Sequence, residues 1–469
     1  MFKNKNTIKK GLKCVTETEP FRIKAHSFHG TDIEEVIIDG SISIIEEEAF
    51  AGCRSLKSVV ISEGVTEIWR KAFRFCDQLE FVHIPRSIKS IGDGAFSDCS
   101  GLFLVEIPDN VILGDGAFSN CSRLKHVRFY YNGDYKGDNP YWNDDLERND
   151  DPGQTIVPGF DDWIPNILKK DNDKTDPFCG TVRYEYQKLQ MRQPGFIGSN
   201  AFIRCFNITK IEIPQGMKHI GSSAFLECTG LESVKISNGV TGIGIDAFRG
   251  CDSLLSVNIP DSITDIADGA FRDCKKLTSI AIPDSIEVLN HRVFGGCTNL
   301  SMVKLPDSLR IISSNAFDGC TKLVSIMIPD KVKSIGAHAF SGCTNLSMIK
   351  LPDNVKRIGS YAFYGCTSLT SIKLPDHVTE IEKHTFYGCE KLTSVKISDR
   401  MMTIGDSAFQ NCIALCSIRI PDSVKRIGSY AFYGCTSLTS IKLPDHVTEI
   451  GKWAFMDCLG SPRSRSQMK

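Results

Sequence analysis

The side chains with chemical potential in this chain are its thiols, imidazoles and carboxylates. There are 19 cysteines and 10 histidines among 469 residues. A cysteine can ligate a metal, close a disulfide or attack an electrophile, and each use leaves a recognisable spacing. Sixteen of these cysteines stand in one pattern, Phe-x-x-Cys. It runs from Phe50/Cys53 to Phe118/Cys121 and resumes from Phe202/Cys205 to Phe455/Cys458. Only Cys14, Cys179 and Cys416 fall outside it. No C-x-x-C pair occurs, and Cys412 and Cys416 have no histidine nearby, so a zinc framework is not indicated. A regular column of single thiols reads instead as reduced, packed cysteine, a small buried hydrophobe.

The remaining constellations point away from catalysis. His377 and His446 each follow an aspartate, a pairing that could move protons. They lie in two identical stretches, 355–381 and 424–450, so a copied turn accounts for both. There is no Gly-rich phosphate loop, no G-x-S-x-G elbow and no H-E-x-x-H. Asp138, Asp144, Asp145, Asp150 and Asp151 do not fit the spacing of a calcium loop. The expectation is a non-enzyme with no catalytic residue, no cofactor and no resident metal.

The elements that carry these residues follow from the period. Phenylalanine returns about every 23 residues, and a degenerate copy stands at Phe28 with Thr31 in the cysteine slot. A fixed period in this range is the signature of a solenoid. In the copy LTSIKLPDHVTEIEKHTFYGCEK, Leu369, Ile372 and Leu374 read as a half-buried strand. Pro375 ends it and Asp376 favours a turn. Val378 and Ile381 line the return path, Phe386 fills the centre, and Cys389 closes the corner before Leu392. Alanine precedes the phenylalanine in fourteen of the sixteen copies, Val293 and Thr385 being the exceptions. Glycine after the inner isoleucine, as at Gly221, Gly336 and Gly359, suggests a backbone conformation that other residues enter at a cost. One such coil cannot bury enough apolar surface alone, so stability should be shared between neighbours.

The consensus L-x-x-I-x-L-P-D-x-V-x-x-I-G-x-x-A-F-x-x-C resembles the leucine-rich repeats of the BspA-like class. That resemblance implies an α/β-type but mostly β repeat solenoid. It would be right-handed, with one parallel sheet of about 17 short strands and an irregular convex side. It also implies a binding or adhesion role rather than catalysis. The chain divides into an N-terminal cap or disordered stretch (1–22), repeats (23–129), an aromatic, acidic insertion (130–196), repeats (197–458) and a basic, disordered tail (459–469).

Two surfaces could take a partner. On the strand, the outward column of the C-terminal half is basic: Lys304, Lys350, Lys373, Lys396, Arg419 and Lys442. A serine column stands beside it, and aspartates after each proline can offset the charge. Such a stripe suits an acidic protein surface. The insertion holds Tyr135, Tyr141, Trp142 and Trp163, residue types preferred as interface anchors. Nucleic acid is not expected, because no aromatics interleave the basic column. Net charge is −1, and no apolar run is long enough to span a membrane. The basic start MFKNKNTIKKGLKCV has no apolar stretch after it, so a cytoplasmic location is the default and the cell surface the alternative. The protein is expected to be a monomer or an end-to-end dimer binding a protein partner.

Overall fold

The computed structural model describes residues 21–130 and 195–458. These form a parallel β-solenoid without a helix. In the copy beginning at Leu369 the front strand is Ser371–Lys373. Pro375 stops it, and the Val378 amide donates to the Pro375 carbonyl at 3.0 Å to close the turn. The return strand is Glu380–Ile381. The backbone then passes through two left-handed residues that flank Phe386, His384 (φ 56) and Gly388 (φ 68). These two reversals bring the chain to Cys389 and the next front strand.

The front strands pair in parallel, as the sequence leads one to expect. The return limb differs from the irregular convex side expected of it. It carries its own ladder of strands of two to four residues, continuous in nine members from Phe21–Ile23 to Asp265–Ile266. The cause is local. The inner isoleucine of each coil must face the core, and its flanking amide and carbonyl then point along the stack, where the next coil offers partners. Among the described residues, no helix is long and apolar enough to cross a membrane.

The interruption leaves and rejoins within a single coil. The chain departs after the front strand His126–Tyr130 and returns at the return strand Phe196–Ile197. Ile197 pairs directly with Leu113 of the preceding coil, and the Ser199 amide donates to Asp115 Oδ1 at 2.8 Å. The solenoid therefore continues across the break. Tyr135, Tyr141, Trp142 and Trp163 lie outside the described residues.

The core is one column of rings. Phenylalanines from Phe28 to Phe455 stack in sequence, including Phe118 on Phe202 across the break at 5.5 Å. Centroid separations run from 4.9 Å (Phe28–Phe50) to 5.9 Å (Phe271–Phe294), with planes near parallel. This is the offset-stacked arrangement favoured by the ring quadrupole. Beside it runs the thiol column, every member free. Each Sγ donates to the carbonyl of the phenylalanine one coil earlier, as Cys343 does to Phe317 at 3.1 Å and Cys205 to Phe118 at 3.2 Å. Thr31 completes the first coil by donating its hydroxyl to the Phe28 carbonyl at 2.9 Å. The thiol thus adds a second donor to a carbonyl that already accepts an amide within its own coil, as the Phe317 carbonyl does from Cys320 at 3.2 Å. Burial pushes the Cys297 thiol up to about 12 and holds Cys228, Cys274 and Cys366 well above their ordinary range.

The glycine after the inner isoleucine has a different cause from the one expected. Its φ is not left-handed; the left-handed slots lie two residues before and two after the phenylalanine. A Cβ added at Gly221 would stand 2.5 Å from the Ile197 carbonyl oxygen, and one at Gly336 would stand 2.5 Å from the Ser314 amide nitrogen. Close approach of the neighbouring backbone selects glycine there. Two coils show what a side chain does in that slot. Asn290 offers its Nδ2 to the Ile266 carbonyl at 2.8 Å, and Glu382 accepts the Ser360 amide at 2.8 Å. The return ladder breaks at both steps, and the rings at the Asn290 step are the ones 5.9 Å apart.

Phe317 is fully buried between rings at 5.6 and 5.4 Å. Phe317→Ala should cost about 3–5 kcal/mol in denaturant unfolding. Phe455→Ala, whose ring has a described neighbour on one side only, should cost clearly less; equal losses would contradict nearest-neighbour coupling. Alkylation of the native chain followed by peptide mapping should mark exposed Cys416 and spare the buried ladder from Cys76 to Cys412, which should react only after unfolding.

Candidate functional site

Alternation along each front strand decides what solvent meets. In Met348–Lys350 the central Ile349 is buried, while Met348 and Lys350 point out. Parallel register then aligns equivalent residues about 4.8 Å apart, so each outward position becomes a column. Met327 pairs with Lys350, and Lys373 with Lys396. The structure thereby brings Lys304, Lys350, Lys373 and Lys396 onto one face, all exposed. Arg419 and Lys442 continue the column on limbs that are not paired as strands.

The two halves of this face differ electrostatically. Toward the N-terminus its charges are neutralised in place. Glu106 accepts from His83 Nδ1 at 3.1 Å and faces Arg128 at 3.5 Å, while Lys235 reaches Glu212 at 2.6 Å. Burial works against the Glu106 charge, but those partners hold its carboxyl below the usual range. Toward the C-terminus, among the described residues, only Lys373 and Arg419 in the column have ion pairs, with Asp353 at 3.4 Å and Asp399 at 3.3 Å. Both aspartates are largely exposed, so these pairs are weak and screened. Lys304, Lys350, Lys396 and Lys442 make no ion pair among the described residues.

Within this basic half lies an apolar patch that the sequence reading did not single out. Met302, Met327 and Met348 are 69%, 85% and 66% exposed, with Val324 beside them at 52%. Met302 and Met348 take places in the serine column, on either side of Ser325; Met327 takes a lysine place between Lys304 and Lys350. Met327 therefore lies diagonally between Met302 and Met348, which stand two strands apart, about 10 Å. The signal was available in the strand alternation, because all three occupy outward positions. A neighbouring hydroxyl column is already engaged: Thr370 and Thr393 donate to carbonyls of the preceding coil at 3.3 and 3.1 Å.

Two other groupings emerge only in three dimensions. On the corner before the phenylalanine column, His338, Tyr361 and His384 stack at 4.4 and 4.5 Å. Burial and then Lys383 lower the His384 pKa, and its Nδ1 is buried without a hydrogen-bond partner. On the first two coils His26, His29 and Glu48 converge.

The sequence matches the model of the BspA type leucine rich repeat region over residues 22–147, 195–323, 264–381 and 356–461. Among solved structures it is similar to a leucine-rich repeat protein from Bacteroides ovatus, with 29% identity and a TM-score of 0.61 over 81% of this chain and 85% of that one. It is also similar to a leucine rich cell surface protein from Faecalibacterium prausnitzii, with 33% identity and a TM-score of 0.40 over 55% of this chain and 80% of that one. No curated protein matches the sequence. The family model matches well over half of the chain, in register with the ring column, and the chain therefore belongs to the BspA-type leucine-rich repeat family.

Proposed function

We propose that this protein is a non-catalytic binding scaffold that holds a protein partner on the C-terminal half of its front sheet. The repeat family is one of protein-binding or surface scaffolds, which fits a molecule whose interior is wholly structural. The observation that carries the reading is the juxtaposition of Met302, Met327 and Met348 with lysines that have no carboxylate partner among the described residues. Soluble surfaces rarely expose contiguous apolar side chains without use. Methionine is flexible and polarisable, and so suited to a contact that must adapt to its partner. The cations beside it favour a partner whose apolar anchors are flanked by Asp or Glu, and they would steer its approach.

A second contact element is the aromatic insertion, with Tyr135, Tyr141, Trp142 and Trp163 as anchors. Its favouring observation is the point of departure: the chain leaves the solenoid at Tyr130, at the end of a front strand.

Captures from the source cell by the full chain should be compared across four variants. Met302→Ser/Met327→Ser/Met348→Ser and Lys304→Glu/Lys350→Glu should each deplete the captured partner at least about ten-fold, which corresponds to about 1.4 kcal/mol. Lys356→Glu, an exposed lysine outside this column, should leave capture unchanged. Deletion of residues 131–194 tests the insertion separately. Equal capture by the wild type and the two front-sheet variants would reject the sheet face.

A further inference from the structure

We propose that His26, His29 and Glu48 form a binding site for a divalent transition-metal ion, with Zn²⁺ the best match. His26 Nδ1 lies 3.5 Å from Glu48 Oε2, and His29 Nδ1 lies 3.8 Å from the same oxygen. One ligand atom from each of the three residues lies within 4.8 Å of the others. Tetrahedral zinc with bonds of about 2.0–2.1 Å sets its ligand atoms about 3.3–3.4 Å apart. Small side-chain rotations therefore bring this set to bonding geometry, with the remaining position left to water.

The fold, not the side chains alone, creates this convergence. His26 and Glu48 occupy the same left-handed slot in successive coils, with φ of 58 and 52. Their side chains consequently emerge next to each other. His29 is delivered by the same turn as His26, its amide bonded to the His26 carbonyl at 3.2 Å. The turn is fixed to the coil of Glu48 by the Phe28 amide on the Ala49 carbonyl and the Gly30 amide on the Ala51 carbonyl, both at 2.8 Å. Beneath it Phe28 stacks on Phe50 at 4.9 Å. The two imidazoles meet edge-on at 63°, so neither ring covers the other's face.

The donor set selects the ion. Two imidazole nitrogens and one carboxylate suit zinc, copper, nickel or cobalt, whereas calcium and magnesium prefer oxygen throughout. Lys71 Nζ lies 3.7 Å from Glu48 Oε1, the other carboxylate oxygen. It orients the group and leaves Oε2 for the metal, while its charge weakens the attraction. Both histidines are more than half exposed, so an ion can enter from solvent. Bound there, it would tie the first coil to the second.

The test is calorimetric titration of the full chain with ZnCl₂, paired with the absorption spectrum of the Co²⁺ complex. One equivalent should bind, and the cobalt spectrum should show visible ligand-field bands without a thiolate charge-transfer band. His26→Ala and His29→Ala should each weaken binding at least about ten-fold, with Glu48→Gln similar. The zinc-free variants should match the wild type in circular dichroism, which keeps a binding loss distinct from misfolding. No uptake by the full chain would overturn the proposal. So would unchanged affinity in both histidine variants, or a thiolate band that disappears in Cys14→Ser or Cys416→Ser.

Discussion

Each coil is chemically incomplete until the next one is laid against it. The amide of Phe317 finds its acceptor in Ala339, one coil on, at 2.8 Å. The carbonyl of Phe317 receives the thiol of Cys343 from that same coil. Its ring lies on those of its two neighbours. Amide and ring of this residue are therefore satisfied from outside its own turn, and its carbonyl, which accepts the Cys320 amide at 3.2 Å within the turn, takes its second donor from the next coil. A buried polar group without such a partner would cost about 1–3 kcal/mol, so a shift of one coil relative to the next is opposed at several atoms together.

That constraint explains why the repeat keeps cysteine where other small residues would fit by volume. A thiol is apolar enough for a fully buried position yet can still donate to the second lone pair of the phenylalanine carbonyl. At the first described coil the Thr31 hydroxyl donates instead within its own turn, to the Phe28 carbonyl that also receives the Cys53 thiol. The constraint also explains where variation is allowed. At the close-approach glycine slot, Asn290 takes over a backbone hydrogen bond and Glu382 accepts one, whereas Trp69, Ala267 and Ser313 keep the ordinary amide-to-carbonyl bond. For the first two, wider ring spacing or a broken ladder is the structural consequence.

Because the interior is committed to holding the stack, functional distinction falls to the surface columns. Those columns repeat by default, and departures from the repeat locate the distinctive places. Three methionines replace serine or lysine on adjacent front strands. Arg128 and Lys235 have carboxylate partners in Glu106 and Glu212, whereas Lys304 and Lys350 have none among the described residues. At the opposite end of the molecule, two histidines and a glutamate meet because the same backbone slot recurs in consecutive coils. Periodicity supplies the scaffold, and local exceptions to it supply specificity.

The sequence alone determined the solenoid, the inward column of phenylalanine and cysteine, the front strand with its Pro-Asp turn and the basic outward column, because each is a local pattern repeated many times. Strand alternation also sufficed to place Met302, Met327 and Met348 outward, though it could not rank them above their neighbours without knowing which charges were compensated. Only the tertiary structure decided the rest. The second ladder on the return limb depends on how neighbouring backbones meet, as does the steric reason for Gly221 and Gly336. The thiol-to-carbonyl bond joins residues 26 apart in sequence. The meeting of His26, His29 and Glu48 rests on two coils presenting the same left-handed slot side by side. These are contacts between turns, and a one-dimensional period states how often a residue returns without stating which atoms it then faces.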